Sequence, residues 1–398
     1  MSTSPAAAPP QRLPLGTLVL LAVACFVAVA TETLPVGLLP LMAADLAVSE
    51  SEVGLLVSVY AATVVVASVP LNAWTSGLPR RPLMTGLVGV YALSNLVLCL
   101  TGSYAVAAGA RVVGGLTHAL FFAVLFGYAT ALSPPHRVGA ALTVVGSGSS
   151  VAIALGTPLG TLLGAAVGWR GSFACVAVLA ALLTLLLWYR LPPLPGSPVG
   201  GGRQLREVLR RRPFRWLEVA TLVVVTGTFA SYTYMSPIMI GFGYSVRDVG
   251  LALLVYGAAA LVGLGVLGRL ADTRLRATLT GVLLALAVVF LLLALAPSDR
   301  ATGTTLLVVW GLAAGPLNAL LQTAIIRAGG EHASTAAAVH NAGFNVGIAA
   351  GAFAGGQVLL VAAPAQTGWV SAVAVLTGAV LAWPWLGRPA SGRPGPRS

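Results

Sequence analysis

Three ionisable side chains stand where an apolar sequence should hold none. Glu32 lies in "VAVATETLPVGLLP", inside a run that begins at Leu13 and hardly breaks until Asp45. Arg111 and His118 share a second run, "ARVVGGLTHALFFAVLFGYATA". An ionisable group at membrane depth is costly and as a rule serves ion, proton or substrate movement. Burial and a neighbouring cation act on a carboxyl in opposite senses, so small local changes can switch it. The chemistry on offer is therefore proton exchange, with Glu32 as the carrier, Arg111 as its partner and His118 as a relay or substrate contact. An ion pair that only fixes one helix against another is the alternative, and packing is the alternative for His118.

These residues need helices to hold them. Hydrophobic residues make up 58% of the 398, charged residues 8%, and the mean hydropathy is +0.94, far from a soluble domain. A secretory signal would fit Arg12, the stretch Leu15 to Phe26 and the triplet Ala28, Val29, Ala30, but apolar residues continue far enough to complete a span. Breaking the sequence at charge, Pro and Gly clusters gives twelve candidate spans: 15–39, 52–75, 82–101, 105–132, 138–166, 171–190, 216–240, 249–270, 276–296, 302–327, 333–361 and 367–387. Glu32 then lies seven residues from the end of the first, and Arg111 six from the start of the fourth, both about 10 Å below one surface. His118 falls on the Arg111 face about 10 Å deeper.

The spans divide into two halves around "RLPPLPGSPVGGGRQLREVLRRRPFR", whose first part is flexible punctuation and whose second could be a basic helix on the membrane surface. The expected organisation is a tail (1–13), a six-helix bundle (14–190), a linker (191–214), a second bundle (215–388) and a tail (389–398). The halves read as copies. "SEVGLLVSVY" (51–60) returns as "RDVGLALLVY" (247–256), and "GSSVAIALGTPLG" (148–160) as "GFNVGIAAGAFAG" (343–355), at offsets of 196 and 195. A parallel repeat implies two bundles about an axis along the membrane normal, with a site near the midplane between them.

All 22 basic residues are arginine. With the N-terminus inside, all but Arg111, Arg170, Arg247 and Arg300 fall on the inner side, a strong positive-inside asymmetry. The net charge of +12 thus reports topology and contact with anionic membrane lipids; nucleic acid is not an expected partner. Cys25, Cys99 and Cys175 fall within spans and form no disulfide framework, and Glu331, His332 and His340 make no convincing metal spacing. No nucleotide-binding loop is present. "GSGSS" with His118 and His340 raises an intramembrane serine hydrolase, but Ser147, Ser149 and Ser150 among glycines read as helix packing. A fold of this plan is an all-α polytopic membrane protein, not an enzyme.

The segments "TETLPVGLLPLMAADLAVSESEVGLLVSVYAA", "ARVVGGLTHALFFAVLFGYATALSPPHRVGAALTVV" and "ALGTPLGTLLGAAVGWRGSF" resemble the major facilitator superfamily, and within it the twelve-span drug/proton antiporters related to bacterial sugar and chloramphenicol efflux. The resemblance covers most of residues 30–175 and is weaker in the second half. It implies a proton-coupled exporter of a small drug-like or sugar-like molecule in a bacterial inner membrane, monomeric, with both termini cytoplasmic and no cofactor beyond the coupling proton. An importer or uniporter on the same fold is the alternative. Arg111, Gly114 and Gly115 match the family's fourth-helix motif associated with proton coupling, and Gly156, Pro158 and Gly160 its fifth-helix antiporter motif, either as close packing or as a hinge. The inner-gate motif survives only as Arg80 and Arg81, with Asn72 and Ser76 replacing its Gly and Asp, while the repeat copy keeps Gly268, Asp272 and Arg274. That moves the expected gate lock to Asp272, unless it is a solvated turn residue. The resemblance places helices one, four, seven and ten around the cavity. Candidate lining residues are Thr31, Thr33, Phe229, Tyr232, Asn318, Gln322, Asn341 and Asn345; the amides could equally bond helix to helix.

Overall fold

The computed structural model describes residues 13–196 and 202–386. Arg12, the three C-terminal arginines and nearly all of both expected tails lie outside them, as do the side chains of Arg203 and Asp272. Among the described residues every regular element is helical. Eleven helices are long and apolar enough to cross a membrane. They are α1 (Leu15–Leu46), α2 (Glu50–Thr75), α3 (Arg80–Leu100), α4 (Tyr104–Ala131), α5 (Pro135–Val167) and α6 (Trp169–Arg190), then α8 (Val249–Leu270), α9 (Thr273–Leu295), α10 (Arg300–His332), α11 (Thr335–Leu359) and α12 (Pro364–Ala382). A pair bent by 50°, Arg212–Tyr232 and Met235–Gly241, supplies α7.

Helix α1 runs seven residues past the boundary expected at 39. Pro35 and Pro40 sit inside it; each removes one N–H, but neighbouring helices re-satisfy the freed groups and an apolar setting offers no better partner. It ends at Ala47, in the left-handed region at φ 52°, and a capping box of Ser49 and Glu52 starts α2 at once. The extension changes the depths read from sequence. Glu32 lies fourteen residues from the end of α1 and His118 fourteen from the start of α4, so both stand about 21 Å from that face. Glu32 is level with His118, rather than with Arg111.

Glycine lets α5 lie directly on α1. A methyl at Gly148 would sit 2.1 Å from the Ala22 carbonyl, and methyls at Gly160 and Gly164 2.3 Å from Leu34 and Leu38 side chains. Between them Ala152–Gly156 forms a π-helical turn, in which the Thr157 N–H reaches the Ala152 carbonyl. Pro158, with no N–H of its own, follows immediately.

The two bundles meet on the side opposite the arginines. Three hydrogen bonds join them there: Ser236 Oγ donates to the carbonyls of Val36 (2.8 Å) and Gly37 (3.0 Å), and Ser51 Oγ to that of Gly356 (3.0 Å). Gly54 abuts the Tyr234 hydroxyl, Gly250 abuts Leu162, and Gly257 abuts the backbone of Ala154. The transmembrane path is thus sealed at the arginine-poor face.

The linker is less free than its composition suggests. The Leu194 carbonyl accepts from the Arg80 N–H at 2.9 Å and the Pro192 carbonyl from Tyr128 at 3.0 Å, binding its first part to the N-terminal bundle. Its helix, Gly202–Arg210, docks on the C-terminal bundle through Glu207 to His332 (2.8 Å), Thr335 to Gln204 (3.2 Å) and a buried Val208.

Candidate functional site

The first-bundle site is assembled where α1, α2, α3 and α4 cross. Arg111 is fully buried and its guanidinium fork is spent on backbone: Nη1 donates to the Thr31 carbonyl (2.6 Å), Nη2 to that of Glu32 (3.0 Å) and Nε to that of Leu56 (3.2 Å). The Tyr60 ring lies 4.1 Å below the guanidinium carbon, adding a cation–π contact. Gly114 and Gly115 make this approach possible, because methyls there would meet the Tyr60 ring at 2.9 Å and the Tyr60 carbonyl at 2.7 Å. The expected direct ion pair between Arg111 and the Glu32 carboxylate gives way to this arrangement. Arg111 sits seven residues into α4, and these three bonds all go to backbone carbonyls of α1 and α2.

The carboxylate of Glu32 instead faces His118, with Oε2 at 3.8 Å from Nε2, within ion-pair reach and longer than a hydrogen bond. His118 Nδ1 bonds the hydroxyls of Tyr60 (2.8 Å) and Tyr91 (3.1 Å). Where Nδ1 accepts, Nε2 carries the ring proton, which then points at Glu32. Asn95 completes the layer, donating to Thr31 Oγ1 (2.9 Å) and to the Tyr91 carbonyl (2.8 Å). Tyr60, Tyr91 and Asn95 were not singled out from the sequence. Tyr60 did end the repeated segment, opposite Tyr256, and Tyr91 and Asn95 are polar side chains four apart in an apolar helix, a spacing that shares a face. Arg111, Tyr60 and Tyr91 are 0% exposed and His118 6%, but the Glu32 side chain is 15% exposed; Glu32 is the member that water can reach.

The remaining candidates separate. Thr31 belongs to the layer just described, and Thr33 Oγ1 bonds Thr157 Oγ1 (2.6 Å), tying α1 to α5. Both are buried and act as helix contacts. Phe229 meets Tyr232 (5.3 Å) and Phe344 (6.1 Å) edge to face, and Tyr232 packs at a tilt against Tyr256 (5.8 Å). Asn318, Gln322 and Asn341 are exposed, while Asn345 is buried and donates to the Asn341 carbonyl at 2.9 Å. In the gate segments, Arg81 donates to the Trp188 carbonyl and covers the Trp188 ring at 5.0 Å, which binds α3 to α6. Arg80 Nη2 donates to the Ser76 carbonyl at 3.1 Å. Asn72 links α2 to the Ala119 carbonyl of α4 at 3.0 Å. Gly268 opens a short 3₁₀ turn, and Arg274 breaks helical geometry at φ −134°, ψ 36°.

Residues 21–352 match the Major Facilitator Superfamily. The chain belongs to that superfamily. Solved structures that share the fold include the following two. A bacterial homolog of the human lysosomal transporter Spinster, inward-facing and unoccupied, is 15% identical with a TM-score of 0.69 over 94% of this chain and 95% of that one. The human organic anion transporter MFSD10 (TETRAN) is 19% identical with a TM-score of 0.68 over 93% and 100%. This superfamily member is therefore a multi-pass membrane transporter of small molecules and not an enzyme.

Proposed function

We propose that the protein is a proton-driven antiporter that exports a small organic molecule across a bacterial inner membrane, with its arginine-rich face and both termini in the cytoplasm, working as a monomer. One observation carries this reading: a carboxylate, Glu32, stands at mid-depth against His118, and only the carboxylate is open to water. Arg111 grips the backbone of Thr31 and Glu32, so its positive charge stays beside the carboxylate for as long as α1 and α4 move together. Protonation neutralises Glu32 and weakens its attraction to the Arg111 charge and to the Nε2–H of His118; loss of the proton restores it. One proton entering yields about 2.3 kcal/mol per 100 mV and about 1.4 kcal/mol per unit of pH difference, enough to drive a substantial substrate gradient. Exchange follows if Glu32 can be protonated or hold substrate in place, but not both.

A cavity lined by the residues named above would suit an apolar molecule with a hydrogen-bonding edge. The aromatic group at Phe229, Tyr232 and Phe344 supplies the apolar surface, and the exposed amides of Asn318, Gln322 and Asn341 gain most from a wet cavity. Gly268, Asp272 and Arg274, with Arg80 and Arg81, would close the arginine-rich face in the opposite state. The outward linker arginines contact anionic lipid headgroups. A drug and sugar susceptibility panel in an efflux-deficient strain identifies the substrate. In proteoliposomes Glu32→Gln should then abolish its accumulation driven by an imposed pH difference while keeping substrate exchange. Accumulation that persists in Glu32→Gln would refute the assignment.

A further inference from the structure

A second acid and imidazole lie in the other bundle, and no sequence motif marks them. Glu218 on α7 and His340 on α11 approach to 3.6 Å, Oε2 to Nδ1. Both carboxylate oxygens, both ring nitrogens and the Oδ1 of Asn345 are buried without a hydrogen bond. His340 is 2% exposed. A methyl at Gly343 would fall 1.9 Å from Glu218 Oε1, so the glycine leaves the space that the carboxylate fills. Glu218 is not the repeat partner of Glu32, because the 196-residue offset of the halves carries Glu32 to Thr228.

Charge counting decides what the pair holds. With no proton it is a dehydrated anion beside a neutral ring, and with two it is a dehydrated cation; either is expensive. With one proton the pair is neutral overall, and a small approach makes a hydrogen bond between Nδ1 and Oε2. Other charges nearby are already engaged or exposed: Glu207 on the linker helix holds His332, Arg211 just before α7 lies against Gly330, and on α7 Arg212 covers Trp385 while Arg215 is exposed. Arg327 on α10 is engaged as well, and α12 carries no charge.

We propose that Glu218 and His340 share a single proton and form a second proton-binding site, in the C-terminal bundle, about 9 Å from the arginine-rich face. The proton comes from and returns to water at that face, the nearer one for both residues; Asn341, next to His340 in the chain, is exposed. The site stands on its own geometry and survives if Glu32 is not the coupling acid.

Proton uptake by the purified full-length protein tests this without any substrate. The protein is stepped from pH 8.5 to 5.5 in unbuffered detergent solution with an indicator dye. An ordinary solvated carboxyl takes up less than about a tenth of a proton over that range, and an ordinary histidine nearly a whole one. Glu218→Gln should lower uptake by about one proton, and Glu218→Gln with His340→Gln should lower it by no more. Unchanged uptake in Glu218→Gln, or a further proton lost in the double variant, overturns the shared site. If Glu218→Gln does not fold, loss in the intact protein of a pH-dependent carboxylic C=O infrared band on His340→Gln gives the same answer, and a band insensitive to His340→Gln refutes it. Glu32→Gln should leave the Glu218 signal intact, which separates this test from that of the first site.

Discussion

Substituting Gly54 with alanine should unseal the arginine-poor face. The added methyl would lie 1.9 Å from the Tyr234 hydroxyl and 2.5 Å from its Cζ, distances no real contact tolerates. Tyr234 cannot simply swing aside. It is fully buried at the bend of α7, and its hydroxyl donates to the Ala352 carbonyl at 2.8 Å. Either the hydrogen bond breaks, at about 1 kcal/mol, or the bundles part to relieve overpacking of about 1–3 kcal/mol. A loss of about 2 kcal/mol confined to the sealed state lowers its population relative to the unsealed one about 25-fold, since each 1.4 kcal/mol is about tenfold. Spin labels at Ala44 and Val246, exposed on that face in opposite bundles, with Cys25, Cys99 and Cys175 replaced, report the separation by pulsed electron resonance. Gly54→Ala should add a longer distance, and Gly86→Ala, where a methyl meets nothing within 4 Å, should not. A distance distribution identical to wild type would refute the role of this contact in the seal, whether or not Tm falls.

Arg111→Lys keeps the charge but replaces a fork holding three carbonyls with an ammonium that reaches fewer. Losing two charge-assisted bonds of about 1.5–3 kcal/mol each should cost about 3 kcal/mol or more and lower Tm in detergent; an unaltered Tm would show that the fork does not hold α1 to α4. Asp299, outside the spans, caps α10, and bonds from the Thr302 hydroxyl (2.7 Å) and the Thr302 and Ala301 N–H groups hold its carboxyl below the usual carboxylate range. Its contribution is therefore complete above that range and lost as pH falls through the lowered value. The Tm difference between wild type and Asp299→Ala should be constant from pH 8 to 5 and shrink below about pH 4; a gap independent of pH would show that the ionised cap is not what stabilises the helix.

Span order, the duplication and the arginine asymmetry are legible in the chain because a membrane reads hydropathy and charge one segment at a time, without reference to partners. So is the presence of Glu32, Arg111 and His118 inside spans, since an ionisable group in an apolar run stands out whatever surrounds it. The end of α1 was misread because Pro40 looks like a break in one dimension; it is tolerated only where other helices pack around it.

That shift of seven residues decided who meets whom. Spacing along α4 put Arg111 nearer Glu32 than His118, while the packed bundle gives Arg111 the backbone and His118 the carboxylate. Tyr60, Tyr91 and Asn95 come from two other helices, and Glu218 meets His340 across 122 residues. No local pattern encodes such meetings, because they depend on glycines that let particular helix faces close to contact. The sequence determined which groups are costly to bury. Only the crossing of helices decided which of them compensate one another, because hydrogen bonds and ion pairs act over a few ångströms, and separation along the chain does not set that distance.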